Sequence, residues 1–471
     1  MSKALTDRLP AYAELLRLRE DAESTVSIHT ADAVYPGDYP LEETIAAAIA
    51  SVATTVCDIW QLKTGRLQTA SVDVRAAAAA LDSYRYLQRR DERGLYSAIP
   101  TSEAASVAYR LTRPFRTQDQ RWFLPHFGML HLKSKMQQLL ACEDTVESVA
   151  SAVAGWDANE LESAVAEQAI CGGIVRLSEE WLGHAQGQAL ASIPVVEIEK
   201  IGDSAPQPFS ADGPPLNGIR ILDLTRILAG PVAARSCAEH GADVLMVAAR
   251  RTPQIKNFVI DLSHGKRSTF LDLNSSNDSD QLKTLLRRCD VFSQGYRPGV
   301  FSRRGFGPHD VAKLRPGIVY LTTSCYGQHG PWSDRAGWEQ VAQAVTGICH
   351  RVNPLEPALL PVNASDFLTG YLGAYGILLA LLRRAVEGGS YHVNVSLCQS
   401  AMFLNRQPPF APGRTTRALS EAEIRSLQTE SDAAYGALRH LAPVAKFSET
   451  PAQWLRPSAA LGADQPMWEA T

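Results

Sequence analysis

Ile219-Arg220-Ile221-Leu222-Asp223-Leu224, then Thr225-Arg226-Ile227-Leu228-Ala229-Gly230-Pro231, then Ala242-Asp243-Val244-Leu245-Met246-Val247, is the stretch that decides the fold. Two short apolar runs with strand character flank a segment, Pro231 to His240, whose length and pattern suit a helix. The same texture continues downstream. Strands are expected at Arg267 to Leu273, Asp290 to Gln294 and Ile318 to Thr323, with helices at Asp280 to Cys289 and Glu339 to Ile348. Strands alternating with helices of this length imply a mostly parallel sheet covered on both faces, with ligands at the carboxyl ends of its strands. The expected class is α/β: a Rossmann-like, mostly parallel sheet in a large domain, plus a smaller α+β domain.

The turn after the first strand holds one glycine where a dinucleotide fingerprint needs three, which disfavours NAD. No P-loop, G-x-S-x-G elbow or H-E-x-x-H occurs, removing the usual NTPase, serine hydrolase and zinc protease readings. Basic residues recur around the strands: Arg250 and Arg251, Lys266 and Arg267, Arg297, Arg303 and Arg304. Taken singly each reads as solvated surface charge, but together they suit a ligand with several phosphates, which guanidinium groups grip with paired hydrogen bonds.

Pro361-Val362-Asn363-Ala364-Ser365-Asp366 opens a long apolar run that continues to Leu382. Asp366 falls in the first turn of the helix expected there, where free N–H groups favour an anion. That position suits an ordinary cap as well as a catalytic carboxylate. The run is too short to span a bilayer comfortably and contains three glycines, so it is expected as buried core.

Upstream, an Ala-rich helix from Leu41 to Trp60, a turn at Lys63-Thr64-Gly65-Arg66, a β-like Leu67 to Val72 and a second Ala-rich helix through Leu81 form an order that recurs. Sliding the chain by 323 residues lays Gly65 on Gly388, Val72 on Val395 and Glu43 on Asp366. The first copy is expected to be a structural remnant. The segments are then an N-terminal extension 1–40, polar and wrapping the surface; 41–200, the first repeat copy and small α+β domain; a proline-rich linker 201–215; 216–405, the large domain; and a tail 406–471 wrapping the surface.

With 471 residues, 45% hydrophobic and 20% charged, the composition is that of an ordinary globular protein of two or three domains. A net charge of -4 offers no global attraction to nucleic acid or anionic lipid. The eight cysteines are scattered without metal-ligand spacing, which argues for free thiols, a reducing compartment and no metal site. Met1 to Arg8 lacks an apolar signal core, and the expected location is cytoplasmic.

Pro215 to Arg226, Ala229-Gly230-Pro231, Gly241-Ala242-Asp243-Val244, Gly265-Lys266-Arg267-Ser268, Tyr296-Arg297-Pro298-Gly299, Tyr326 to Pro331 and Val341-Ala342-Gln343-Ala344 resemble, in order, the class III CoA-transferase family (CaiB/BaiF). The resemblance covers roughly 214–405. Residues 41–200 look like the family's later portion placed ahead of the large domain. It implies an acyl-CoA and a carboxylic acid acceptor as substrates, coenzyme A as co-substrate without further cofactor, Asp366 as nucleophile, and an interlocked homodimer. It also implies that Tyr296, Arg303, Tyr326 and the Lys266-Arg267 loop lie along the CoA, in line with the basic residues around the strands, of which Arg250 and Arg297 are likewise expected to bind it. Three departures stand out. Gly337-Trp338-Glu339 replaces the racemase branch's Gly-His-Asp, leaving a 2-methylacyl-CoA racemase to rely on Glu339 as its second base. Leu228 replaces the glutamine of formyl-CoA members, and Ala248 replaces the acid after the second strand. A non-catalytic CoA-binding homologue is the further alternative.

Overall fold

In the computed structural model, which describes residues 9–19, 24–410 and 414–469, seven strands lie side by side. Their order is Lys266–Phe270, Asp243–Ala248, Arg220–Asp223, Val291–Gln294, Val319–Ser324, Ser390–Ser396 and Glu197–Gly202. The first six are parallel and the last is antiparallel. Numbered along the chain, the six run 3-2-1-4-5-6, the doubly wound order. The winding reverses between Arg220–Asp223 and Val291–Gln294, and a crevice opens there beyond the strand ends. The class is α/β. Ile221, Leu222, Leu245, Val291, Phe292, Val319 and Leu321 are fully enclosed, because helices cover both faces of a parallel sheet and leave no strand a wet side.

The helix Ala364–Glu387 lies across one face, against the helix Ala229–Ala238. Its glycines are what allow this approach. A Cβ on Gly370 would fall 2.5 Å from Val232 Cβ and 2.7 Å from the Ala229 carbonyl oxygen, and one on Gly376 would fall 2.5 Å from a Val393 methyl. Against its other side packs a second helix, Leu41–Thr64. Both are long and apolar enough to cross a membrane, yet 83% of the apolar window of the first-copy helix and 94% of that of the second are buried inside the fold. Core packing accounts for their apolarity, since each enclosed Leu, Ile or Phe contributes roughly 1.5–3 kcal/mol.

The cores cut across the expected segments. Pro10–Leu16, expected to run over the surface, is a short helix with Ala11, Tyr12, Leu15 and Leu16 in the main core; Tyr12 bonds Thr54 Oγ1 at 2.6 Å and Tyr375 donates to the Leu15 carbonyl at 2.9 Å. A seven-residue helix is too short to announce itself by period. Residues from 108 to 190 build a second core together with Cys325, Tyr326, Val341 and Cys398. Glu197–Gly202, before the proline-rich linker, is the edge strand of the large sheet. The C-terminal segment does more than wrap: Gly436–Leu441 pairs with Gln88–Arg90, Lys446–Phe447 with Ala70–Asp73, and Trp468 is buried with Nε1 on the Leu285 carbonyl. The segment Met1 to Arg8, read above for targeting, lies outside the described residues.

Candidate active site

The carboxyl ends of Arg220–Asp223, Val291–Gln294 and Val319–Ser324 border a cleft of about 290 Å³. Arg226, Tyr296, Arg297 and Cys325 come from the sheet side, Met129, Leu132 and Cys171 from the smaller core, and Asp366 and Glu339 from two helix N-termini between them. Asp366 is the third residue of its helix and is 7% exposed. The Asn363 side chain does not cap this helix. Glu339, the first residue of the helix Glu339–Val345, caps it instead, accepting from Ser365 N at 3.1 Å and from Asp366 N, and also from Gln343 Nε2 at 2.7 Å. An acid borrowed from a neighbouring helix thus satisfies donors that a local Ser or Asp usually takes.

Two carboxyl groups are thereby held together out of water. Burial, reinforced by the negative charge of Glu339, raises Asp366 well above the usual carboxylate range. Burial likewise raises Glu339 to about 7, against the pull of its N–H donors. Asp366 carries no ion pair among the described residues. A desolvated carboxylate of raised basicity beside an open cleft is suited to attack a carbonyl carbon or to move a proton.

Tyr296 and Arg297 line the cleft with Asp366; Arg297 is exposed and donates to the Ala169 carbonyl at 2.6 Å. Arg250 and Arg303 are exposed on the same edge of the sheet but do not line the cleft; Arg250 rests on the Phe270 ring at 4.4 Å. Lys266, Arg267 and Tyr326 depart from the expected CoA contacts. Lys266 and Arg267 open their strand, so they stand at its amino end rather than on a loop beyond the carboxyl end. Lys266 is enclosed, bonding Asp223 Oδ2 and the Pro231 carbonyl at 2.9 Å each. Arg267 grips both oxygens of Asp243 at 2.9 Å. The Tyr326 ring is buried in the smaller core against Trp332, 5.3 Å between centroids. Arg226, quoted above only within a motif, is with Arg335 one of two cleft arginines that the sequence reading did not single out. Its signal was available: it sits in the first turn after the first strand, at the point where the sheet reverses.

Comparison with known proteins adds the following. Residues 216–465 match the family model CoA-transferase family III. An acetyl-coenzyme A transferase, nodX, of Hypoxylon pulicicidum is 33% identical over 315 residues, 61% of this chain and 53% of that protein. The succinyl-CoA:glutarate CoA-transferase of Mus musculus is 36% identical over 201 residues, 40% of this chain and 46% of that protein. The chain spans about half the length of the curated relatives it matches. Among solved structures, a CAIB/BAIF family protein from Brucella suis is 22% identical, covering 48% of this chain and 65% of that one, with a TM-score of 0.38.

Proposed function

The chain belongs to CoA-transferase family III, and from that premise we propose that it moves coenzyme A from an acyl-CoA thioester to a carboxylic acid, with Asp366 as nucleophile. The observation that carries the reading is the buried carboxylate of Asp366 on a cleft at the reversal point of the sheet. Asp366 attacks the thioester carbonyl, forming a mixed anhydride and releasing CoA thiolate. The thiolate attacks the Asp366 carbonyl, freeing the donor's carboxylate and leaving an aspartyl-CoA thioester. The acceptor carboxylate attacks that thioester, giving a second anhydride and thiolate. The thiolate then takes the acyl carbon, yielding the new acyl-CoA and the original Asp366 carboxylate. Charge and atoms balance without a redox step.

Tyr296 and Arg297 line the cleft with Asp366, and the exposed guanidinium groups of Arg250 and Arg303 support binding of the CoA phosphates outside it. A racemase needs two free bases on opposite faces of an α-carbon. Glu339 accepts through both oxygens from donors of the fold itself, which disfavours the 2-methylacyl-CoA racemase alternative. The test is chemical trapping. Wild-type protein turning over an acyl-CoA and treated with borohydride or hydroxylamine should carry a modification at Asp366, located by peptide mass spectrometry. Absence of any adduct, with full activity in Asp366→Ala, would sink the assignment, and CoA binding without turnover of a broad acyl-CoA panel would favour a non-catalytic homologue.

A further inference from the structure

Among the residues lining the cleft, Arg226 has an unused donor. Its Nε is sealed from solvent and has no hydrogen-bond partner among the described residues. One Nη donates to the Pro253 carbonyl, and no described carboxylate forms an ion pair with the guanidinium. Unpaired donors on a charged group are costly to bury, so such a group is either misplaced or waiting for an anion.

The backbone around it argues against misplacement. Ile227, the next residue, has φ 72°, a conformation that a β-branched residue adopts only under constraint. The constraint is visible. Asp223 accepts from Thr225 N at 3.0 Å and from Thr225 Oγ1, and Asp223 is itself fixed by Lys266 Nζ at 2.9 Å. A Cβ on Gly230 would lie 2.3 Å from Thr225 Cβ, so the turn is closed tightly on its other side too. The buried Lys266–Asp223 pair therefore holds a strained turn whose product is the fixed position of Arg226 on the cleft wall.

We propose that Arg226 is the anchor for the carboxylate of the acceptor acid. This rests on the CoA-transfer reading and adds to it how the second substrate is held. An acceptor must enter as an anion a low-dielectric cleft beside the carboxyl group of Glu339, Asp366 being by then a neutral thioester, and a cation there offsets the repulsion and the loss of water. Of the other two arginines that line the cleft, Arg297 is exposed and donates to Ala169, and Arg335 lies on the Trp332 ring at 4.2 Å. On the CoA-transfer reading the phosphates fall to Arg250 and Arg303, which are exposed and do not line the cleft. Arg226 shares the cleft lining with the apolar side chains of Met129, Leu132 and Leu397, a setting that fits a carboxylate on an apolar chain.

Isothermal titration of the full chain tests this. Wild type is first titrated with CoA, then, saturated with CoA, with butyrate and succinate and with their neutral amides. The expected result is binding of acid but not amide, weakened about tenfold or more by Arg226→Met as a charge-assisted hydrogen bond is lost, with CoA affinity within about twofold of wild type. Arg226→Lys, which keeps the charge, should retain most of the acid binding, and circular dichroism and Tm establish that both variants fold. The inference is overturned if Arg226→Met weakens CoA as much as acid, if it leaves acid binding intact, or if wild type binds acid and amide alike or neither acid. Failure of wild type to bind CoA at all would bring down the CoA-transfer reading first, and this inference with it.

Discussion

The two long helices, Leu41–Thr64 and Ala364–Glu387, are the same construction placed 323 residues apart, and their surroundings differ. Each is 24 residues long and ends on a glycine at positive φ, Gly65 at 72° and Gly388 at 73°. Each leads to a strand and then a helix whose cap falls at the same repeat position: Asp73 accepts from Ala76 N, and Ser396 from Gln399 N. The acids Glu43 and Asp366 are equivalent in this alignment. Asp366 opens on the cleft without a counter-ion among the described residues, whereas Glu43 lies 2.6 Å from Arg414 Nη1. Glu42 beside it is spent on Val34 N and Tyr35 N at 2.6 and 2.8 Å. The strand after the first helix joins a three-stranded sheet rather than the doubly wound one, so no switch point stands beside Glu43. A helix and its acid are thus insufficient for a site. What differs is the sheet edge and the absence of a partner charge.

The sharpest way to break this comparison is to truncate both acids. Asp366→Ala should lower transfer by about a thousandfold or more, as loss of a nucleophile does, while Glu43→Ala should leave kcat/KM within about threefold of wild type. Comparable losses in the two variants would mean that the first copy is not silent. The next effect is on stability, at the paired glycines. Alanine at Gly65 meets only the left-handed backbone penalty, about 1–2 kcal/mol, because nothing lies within 4 Å of its Cβ. Gly388→Ala would also drive its Cβ to 2.0 Å from the Ser204 carbonyl oxygen, so urea unfolding should show the larger loss there, by about 1–3 kcal/mol of overpacking.

The reasons these features were readable, or were not, are physical. Parallel strands buried on both faces appear as continuous apolar runs, so Ile219 to Val247 exposed the large sheet directly. The place of Asp366 in the first turn of a buried helix was legible from its proline-bounded loop and the long apolar run behind it, and the repeat from the matching order of helix, turn, strand and helix. The fate of Lys266 was not legible, since its partner Asp223 is 43 residues away in sequence and sequence does not say which way a residue at a strand end faces. Tyr326 was drawn inward by a core assembled mainly from residues more than a hundred positions earlier. Glu339 could be noticed as an acid, but its work as the cap of a helix that begins 25 residues later appears only when the two helices are brought together.

A smaller effect concerns pH. On the proposed mechanism Asp366 must be ionised to attack, and burial together with Glu339 raises its pKa, so turnover should fall on the acid side well above the ordinary carboxylate range. Glu339→Gln removes the like charge, and the acid limb of the rate profile should move to lower pH; an unmoved limb would mean that the two acids do not share their titration. Glu43→Gln should not move that limb, although Glu43 is itself raised to about 6 by burial.

The smallest expected effect is at Arg414, and it asks whether the ion pair is what quiets the first copy. Burial raises Glu43 and Arg414 pulls it back, leaving it at about 6. A carboxyl whose folded pKa exceeds its unfolded value contributes stability that is complete below the unfolded value, about 4.3, and is lost as pH climbs through the folded one. Arg414→Met removes the pull, raises the folded pKa further and enlarges the loss at high pH. At pH 5 and below Glu43 is mostly protonated with or without Arg414, so the variant and wild type should converge. The pair is mostly shielded, with 18% and 14% of the two side chains exposed, so its removal at pH 8 should cost about 1–2 kcal/mol, more than a surface pair and less than a fully buried one. Transfer activity should be unchanged, because an acid released from its cation without a sheet edge beside it gains no substrate to attack. A deficit equal at pH 5 and pH 8 would show that Arg414 acts through packing on Phe410, 3.6 Å away, rather than through Glu43.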